Sequence, residues 1–221
     1  MSEASTLLPV SVITGFLGSG KTTLLNRLLR HPGMDRTAVV INEFGEIGID
    51  HALVESADDD VVLMSSGCLC CTIRGDMVDT LRNLYLRRVK NEVPEFDRLL
   101  IETTGLADPA PILHTLMNDP LLSARFRLDG VIATVDAATG AQTLDQHPES
   151  VKQAAVADRL LLTKSDLVDA EPRKALEARL RTLNPAAPVH AVTQGEIAPD
   201  LVFNAGLYDP TTKTADVQAW L

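Results

Sequence analysis

Gly15-Phe16-Leu17-Gly18-Ser19-Gly20-Lys21-Thr22 fits the pattern G-x-x-x-x-G-K-[ST] without a mismatch. An apolar run, Leu8 to Thr14, precedes it, and Leu24, Leu25, Leu28 and Leu29 follow at helical spacing. Strand, glycine-rich turn and helix in this order leave few folds open to the chain. Glycines let the backbone curl so that successive N–H groups converge on phosphate oxygens, and the helix adds its positive end. Lys21 then places a charge between β- and γ-phosphates, and the Thr22 hydroxyl becomes a Mg²⁺ ligand.

The rest of the chain keeps alternating. Strands are expected at Thr37 to Asn42, Asp60 to Met64, Leu99 to Thr103, Gly130 to Asp136, Asp158 to Thr163 and Pro188 to Val192. Between them fall a long helix lined by Ile73, Met77, Leu81, Leu84 and Val89, one near Pro111 to Met117, and one from Asp169 to Leu183. Nearly continuous apolar strands alternating with helices predict an α/β fold, a mainly parallel sheet covered on both faces. Ligands of such sheets sit at the carboxyl ends of the strands, where the motifs fall. With 221 residues, 45% of them apolar, one large domain is expected over residues 1–205. The polar, turn-rich segment 206–221 reads as a linker or the start of a further domain.

The run Leu160 to Leu162 ends in Thr163-Lys164-Ser165-Asp166, close to the N-K-x-D of guanine-reading proteins. A carboxylate at Asp166 accepts from guanine N1–H and the N2 amino group, a donor pair adenine lacks. The Lys164 stem can cover the base, and Thr163, in place of Asn, can still hydrogen-bond toward the phosphate loop. GTP or GDP is therefore the expected nucleotide. Leu99 to Glu102 and Gly105 form an apolar strand ending in E-x-x-G. Glu102 is placed to approach Mg²⁺, directly or through water, and Gly105 to offer its N–H to the γ-phosphate and to flip as a switch. Asn42 to Asp50 stands at the first-switch position with carboxylates that include Glu43 and Glu46. No glutamine is evidently placed to orient water, so slow hydrolysis is expected. A non-catalytic GTP-responsive metal sensor or buffer, and a small-molecule kinase or ATPase sharing the phosphate loop, remain the alternatives.

The three cysteines, Cys68, Cys70 and Cys71, lie within four residues. An odd, clustered set is no disulfide framework and reads as a soft-metal site for Zn²⁺, Cu(I), Co²⁺ or Ni²⁺. Three thiolates leave a tetrahedral position open, for which Glu43, Glu46 and His114 are candidates. A net charge of −10 speaks against nucleic-acid and anionic-membrane partners. Without a signal-like start or a long apolar run, a cytoplasmic location is expected.

Together Gly15 to Thr23, Asn42-Glu43-Phe44-Gly45-Glu46, Gly67-Cys68-Leu69-Cys70-Cys71, Glu102-Thr103-Thr104-Gly105-Leu106-Ala107-Asp108-Pro109 and Thr163-Lys164-Ser165-Asp166 resemble the CobW-type metal-handling GTPases, relatives of the UreG and HypB nickel-insertion proteins. The resemblance covers essentially the whole chain. It implies a P-loop NTPase fold (a SIMIBI-like G domain) with nucleotide contacts at Gly15, Gly18, Ser19, Gly20, Lys21, Thr22, Thr23, Thr163, Lys164 and Asp166. It also implies catalytic roles for Lys21, Glu102 and Gly105, and a metal site at Cys68, Cys70 and Cys71 coupled to the nucleotide. Such proteins are thought to deliver Zn²⁺ or Co²⁺ to client metalloproteins; client and homo-oligomeric state are left open. Asn184-Pro185 and Gln194-Gly195 would fall near the last base-contacting loop. Family members usually continue into a smaller second domain, so the chain resembles the isolated nucleotide domain.

Overall fold

Runs rich in Val, Ile and Leu become the central strands, and leucine stripes become helices that cover them, those at Lys21–Leu28 and Ala170–Leu183 among them. The structure is a computed structural model and describes residues 7–42, 54–57, 61–64, 69–72, 76–203, 206 and 208–220. The strands are β1 (Leu8–Gly15), β2 (Thr37–Asn42), β3 (Val54–Ala57), β4 (Val61–Met64), β5 (Leu69–Thr72), β6 (Arg98–Thr103), β7 (Phe126–Asp136), β8 (Arg159–Thr163) and β9 (Val189–Val192). The helices are α1 (Lys21–Leu28), α2 (Met77–Val89), α3 (Ala110–Asn118), α4 (Pro120–Ser123), α5 (Gly140–Gln146), α6 (Pro148–Val156), α7 (Ala170–Leu183) and α8 (Ala215–Trp220).

Among the described residues the nine strands share one sheet, in the order β3-β4-β5-β2-β6-β1-β7-β8-β9. From β5 to β9 every pairing is parallel, while β3 and β4 add an antiparallel edge. The expected mainly parallel sheet is present. Strands β3 and β5 and helices α4, α5, α6 and α8 were not anticipated, and β7 begins earlier than expected because Phe126 and Leu128 join the core.

Alternation along the central strands divides the core. Val10, Val12, Val40, Leu99 and Ile101 face one layer; Ile13, Val39, Ile41 and Leu100 face the other. That second layer is filled by Leu24, Leu25, Leu28 and Leu29, each no more than 1% exposed. Burying each such side chain stabilises by about 1.5–3 kcal/mol, so α1 is clamped to the sheet directly behind the phosphate loop. Val89 does not join the expected stripe of α2: it is 57% exposed, and Leu81 and Leu84 carry the burial.

Within the segment expected as a linker or the start of a further domain, described residues pack onto the sheet and its helices. Tyr208 and Val217 are buried in the first core layer, and the Tyr208 N–H donates to the Leu128 carbonyl at 3.2 Å. Lys213, almost wholly buried, donates to Asp158 Oδ1 at 2.6 Å and to the Ala157 carbonyl at 2.9 Å.

Candidate functional site

The loop between β1 and α1 is shaped by its glycines. Gly15, Gly18 and Gly20 have φ of 142°, 72° and 91°, values open to glycine and rarely to L side chains. Space is limiting at Gly15 as well, where an added Cβ would lie 2.5 Å from the Thr134 carbonyl oxygen and 2.8 Å from Ser19 Oγ. Ser19 Oγ and Thr134 Oγ1 share a hydrogen bond of 2.6 Å, so β7 supports the loop from behind.

Helix α1 starts at Lys21 with no side-chain cap and no acidic residue in its first turn. Asp76 caps α2 and Asp119 caps α4, each by accepting from backbone N–H groups. The first N–H groups of α1, like those of α5, α6 and α7, have no side-chain cap, and such a positive helix end suits an anion. The Lys21 ammonium curls over the loop and donates to the Gly15 carbonyl at 2.8 Å and the Phe16 carbonyl at 3.3 Å. Thr22 is half-buried and Thr23 exposed on the same turn.

The carboxyl ends of the neighbouring strands bring the other motifs to this edge. On β8, Thr163 Oγ1 donates to the Ser19 carbonyl at 2.7 Å. Lys164, at a left-handed φ of 53°, donates to the Gly18 carbonyl at 2.8 Å and pairs with Asp136 Oδ2 at 2.6 Å. One cation thus joins the loop to the ends of β7 and β8. Asp166 follows in a 3-10 turn, exposed to solvent. Beyond β9, Gln194 and Gly195 have φ of 51° and 74°, and a Cβ on Gly195 would lie 2.9 Å from the Thr23 carbonyl oxygen. Their loop therefore abuts α1, where a base-contacting loop is expected. Asn184 does not join them. It precedes β9, at the amino ends of the strands, is buried, and donates to the carbonyls of Ala154, Ala155 and Ala157. Its task is to hold the end of α6.

On the other side of β1, Glu102 is 2% exposed and sits opposite Ile13 in the pairing of β6 with β1. Thr103 Oγ1 donates to Thr14 Oγ1 at 2.9 Å. Gly105 packs against the phosphate loop so closely that a Cβ there would meet Leu17 Cδ2 at 2.6 Å and Leu17 N at 2.8 Å. Three residues that the sequence did not single out also build the site: Thr134, Asp136 and Gln153. Gln153 donates to the carbonyls of Gly105 and Ala107.

The cysteines depart from expectation. Cys70 and Cys71 lie within β5, paired in register with Val39 and Val40, and are 1% and 4% exposed. Adjacent strand residues point to opposite faces. Cys70 accordingly packs with Val39 and Leu100, and Cys71 with Val40 and Ile101. Held in this strand, the two thiols face opposite sides of the sheet and do not converge on one ion. Cys68, Glu43 and Glu46 lie outside the described residues. His114 is exposed on α3. Among the described residues no group of three or more His, Cys, Asp or Glu side chains is gathered to hold a metal, and no helix is long and apolar enough to cross a membrane.

Comparison with known proteins adds to this geometry. A family model described as CobW/HypB/UreG, nucleotide-binding domain, matches residues 9–191. The chain is 42% identical over 195 residues to the zinc chaperone YjiA of Escherichia coli, covering 88% of this chain and 60% of that protein. It is 35% identical over 222 residues to the zinc chaperone CobW of Pseudomonas aeruginosa, covering 86% and 58%. The crystal structure of Zn(II)-bound YjiA GTPase from E. coli superposes with a TM-score of 0.79 at 38% identity, covering 92% of this chain and 63% of that one. The chain thus spans about three fifths of the length of these relatives.

Proposed function

The chain belongs to the CobW/HypB/UreG family, and from that premise we propose that it binds GTP with Mg²⁺, hydrolyses it slowly, and couples the nucleotide state to binding of a transition metal destined for a client metalloprotein. The observation that carries the nucleotide half is the convergence on one loop. Lys21 donates to Gly15, Thr163 to Ser19 and Lys164 to Gly18, so phosphate cradle and base-reading strand form one unit.

The chemistry follows from these positions. The amides of residues 15–22 and the N-terminus of α1 hold the β-phosphate, and Lys21 exchanges its carbonyl partners for β- and γ-phosphate oxygens. Gly105 presents its N–H toward the γ-phosphate from its seat on Leu17. Thr22 and Glu102, a hydroxyl and a carboxylate, are the hard oxygen donors that suit Mg²⁺ or its waters. Mg²⁺, when bound, supplies charge neutralisation between the β- and γ-phosphates. Asp166 reads guanine from an exposed turn, needing no rearrangement of the core.

The relatives named zinc chaperones favour Zn²⁺ over Co²⁺ or Ni²⁺ as cargo. Cys68, Cys70 and Cys71 remain the proposed thiolate donors. Because Cys70 and Cys71 face opposite layers, using both on one ion requires β5 to leave its pairing with β2.

Nucleotide competition tests the first half: GTP should outcompete ATP, and an ATP preference would overturn the guanine reading. Single-turnover phosphate release with and without Zn²⁺ separates a GTPase from a GTP-binding sensor, which releases none. Replacing Cys70 and Cys71 by Ser should abolish tight Zn²⁺ binding and spare GTP binding; unchanged zinc stoichiometry would remove the cluster as the site.

A further inference from the structure

Gln153 is 1% exposed on α6, a helix that the nucleotide motifs do not include. Its Nε2 donates to the Gly105 carbonyl at 3.1 Å and the Ala107 carbonyl at 3.0 Å. The amide orientation is set by its partners, since the reverse would press an oxygen against two carbonyl oxygens. Its Oε1 is buried without a hydrogen-bond partner among the described residues. A buried amide that leaves half its capacity unmatched is a poor stabiliser, so its two donated bonds call for another explanation.

Those bonds hold the turn that senses the γ-phosphate. The Ala107 N–H donates to the Thr104 carbonyl at 3.1 Å, closing the turn, and Gly105 rests on Leu17 of the phosphate loop. Gln153 grips it from the other side. Lys152, its neighbour, pairs with Asp108 Oδ2 at 2.6 Å, while Asp108 Oδ1 accepts from the Ala110 N–H at the start of α3. Helix α6 is a firm base for this grip. Ser150 Oγ ties its first turn to the His147 carbonyl, and Asn184 holds the carbonyls of Ala154, Ala155 and Ala157 at its end.

We infer that Gln153 is a positioning residue for nucleotide discrimination: by holding the Gly105 and Ala107 carbonyls it fixes the direction of the Gly105 N–H toward the γ-phosphate. GDP does not engage that N–H, so the two nucleotides report on Gln153 differently. Because this role presupposes the nucleotide site proposed above, wild-type protein is measured first with GDP and with a β,γ-imido GTP analogue. Binding of neither would sink the nucleotide proposal itself.

Gln153→Met keeps the length and volume and removes both donors. It should weaken the analogue about tenfold, the scale of one or two lost hydrogen bonds, leave GDP within about twofold, and lower kcat more than it raises KM. Gln153→Glu adds a pH signature. The carboxylate faces two carbonyl oxygens and should behave worse than Met, but as pH falls the buried acid is protonated and regains one donor. The discrimination of Gln153→Glu should then recover while that of Gln153→Met does not. Should the core variants fail to fold, Lys152→Ala breaks the half-exposed ion pair and should shift the ratio in the same sense by about two- to threefold. Equal weakening of both nucleotides in Gln153→Met, no recovery of Gln153→Glu at low pH, or an unshifted ratio in Lys152→Ala would each overturn the inference.

Discussion

The Thr163 hydroxyl donates to the Ser19 carbonyl at 2.7 Å and lies 3.2 Å from the Val135 carbonyl, joining the strand of the base-reading motif to the phosphate loop. Both groups are buried, so the bond is shielded from water. Thr163→Val keeps the shape and strands the Ser19 carbonyl, which should cost about 1–2 kcal/mol of stability. As the bond supports the loop and not the γ-phosphate, GTP and GDP should weaken together, by about five- to tenfold. Fluorescent-nucleotide titration with thermal melts measures both, and selective loss of one nucleotide would contradict the role.

Asp166 shares the motif with Thr163 but is exposed, so its replacement tests recognition apart from folding. Asp166→Asn should leave the melting temperature unchanged and weaken GTP at least about 100-fold, since a site built for a donor pair rejects a mismatch strongly. The new amide can donate to the C2 carbonyl of xanthine. XTP should therefore bind the variant better than GTP does. A variant that keeps its preference for GTP would show that guanine is read elsewhere.

Thr163 also shows how far the sequence could be read. Its polar contact with the phosphate loop was foreseeable because strand, motif and helix order already place the end of β8 beside the turn after β1. The sheet was legible for the same reason: strands buried on both faces are continuous apolar runs. That Cys70 and Cys71 sit inside a strand was not legible, because both thiols are as apolar as the valines beside which β5 seats them and their spacing carries no strand signal. Gln153, Thr134 and Asp136 were invisible for another reason. Each acts through a backbone or side chain distant in sequence, and α5 and α6 carry too many Gln, Thr, Ser and Ala for a clear apolar stripe. The buried cluster at Lys213 was hidden because a lysine in a turn-rich tail reads as solvated until Asp158 and Tyr208 are seen around it.

The glycines of the phosphate loop differ in what confines them. At Gly18 an added Cβ meets nothing within 4 Å, so Gly18→Ala is opposed only by its φ of 72°, about 1–2 kcal/mol. At Gly15 the same methyl would run into the Thr134 side chain and carbonyl and Ser19 Oγ, on a backbone φ of 142°. Gly15→Ala should therefore abolish measurable nucleotide binding, while Gly18→Ala retains a reduced affinity. Isothermal titration with GDP ranks them, and the reverse order would mean that the loop is held differently.

Tyr208 provides the last test, of the C-terminal segment as part of the domain. Its hydroxyl is buried without a hydrogen-bond partner among the described residues, and the Lys213 ammonium lies 5.3 Å from its ring centroid. Burial, with a smaller contribution from the charge of Asp158, raises its pKa well above that of a free tyrosine. In the unfolded chain the phenol ionises near pH 10, whereas in the fold it stays protonated to higher pH. Above about pH 10 the unfolded state then binds fewer protons than the native state, so stability falls as pH rises. Tyr208→Phe removes both the unmatched hydroxyl and the titration. It should melt at or slightly above the wild-type temperature at pH 7 and lose part of the wild-type decline between about pH 10 and 11. If the variant melts lower at pH 7 and declines as steeply in alkali, the hydroxyl is satisfied in solution and the packing of residues 208–220 against Leu128 and Asp158 needs redrawing.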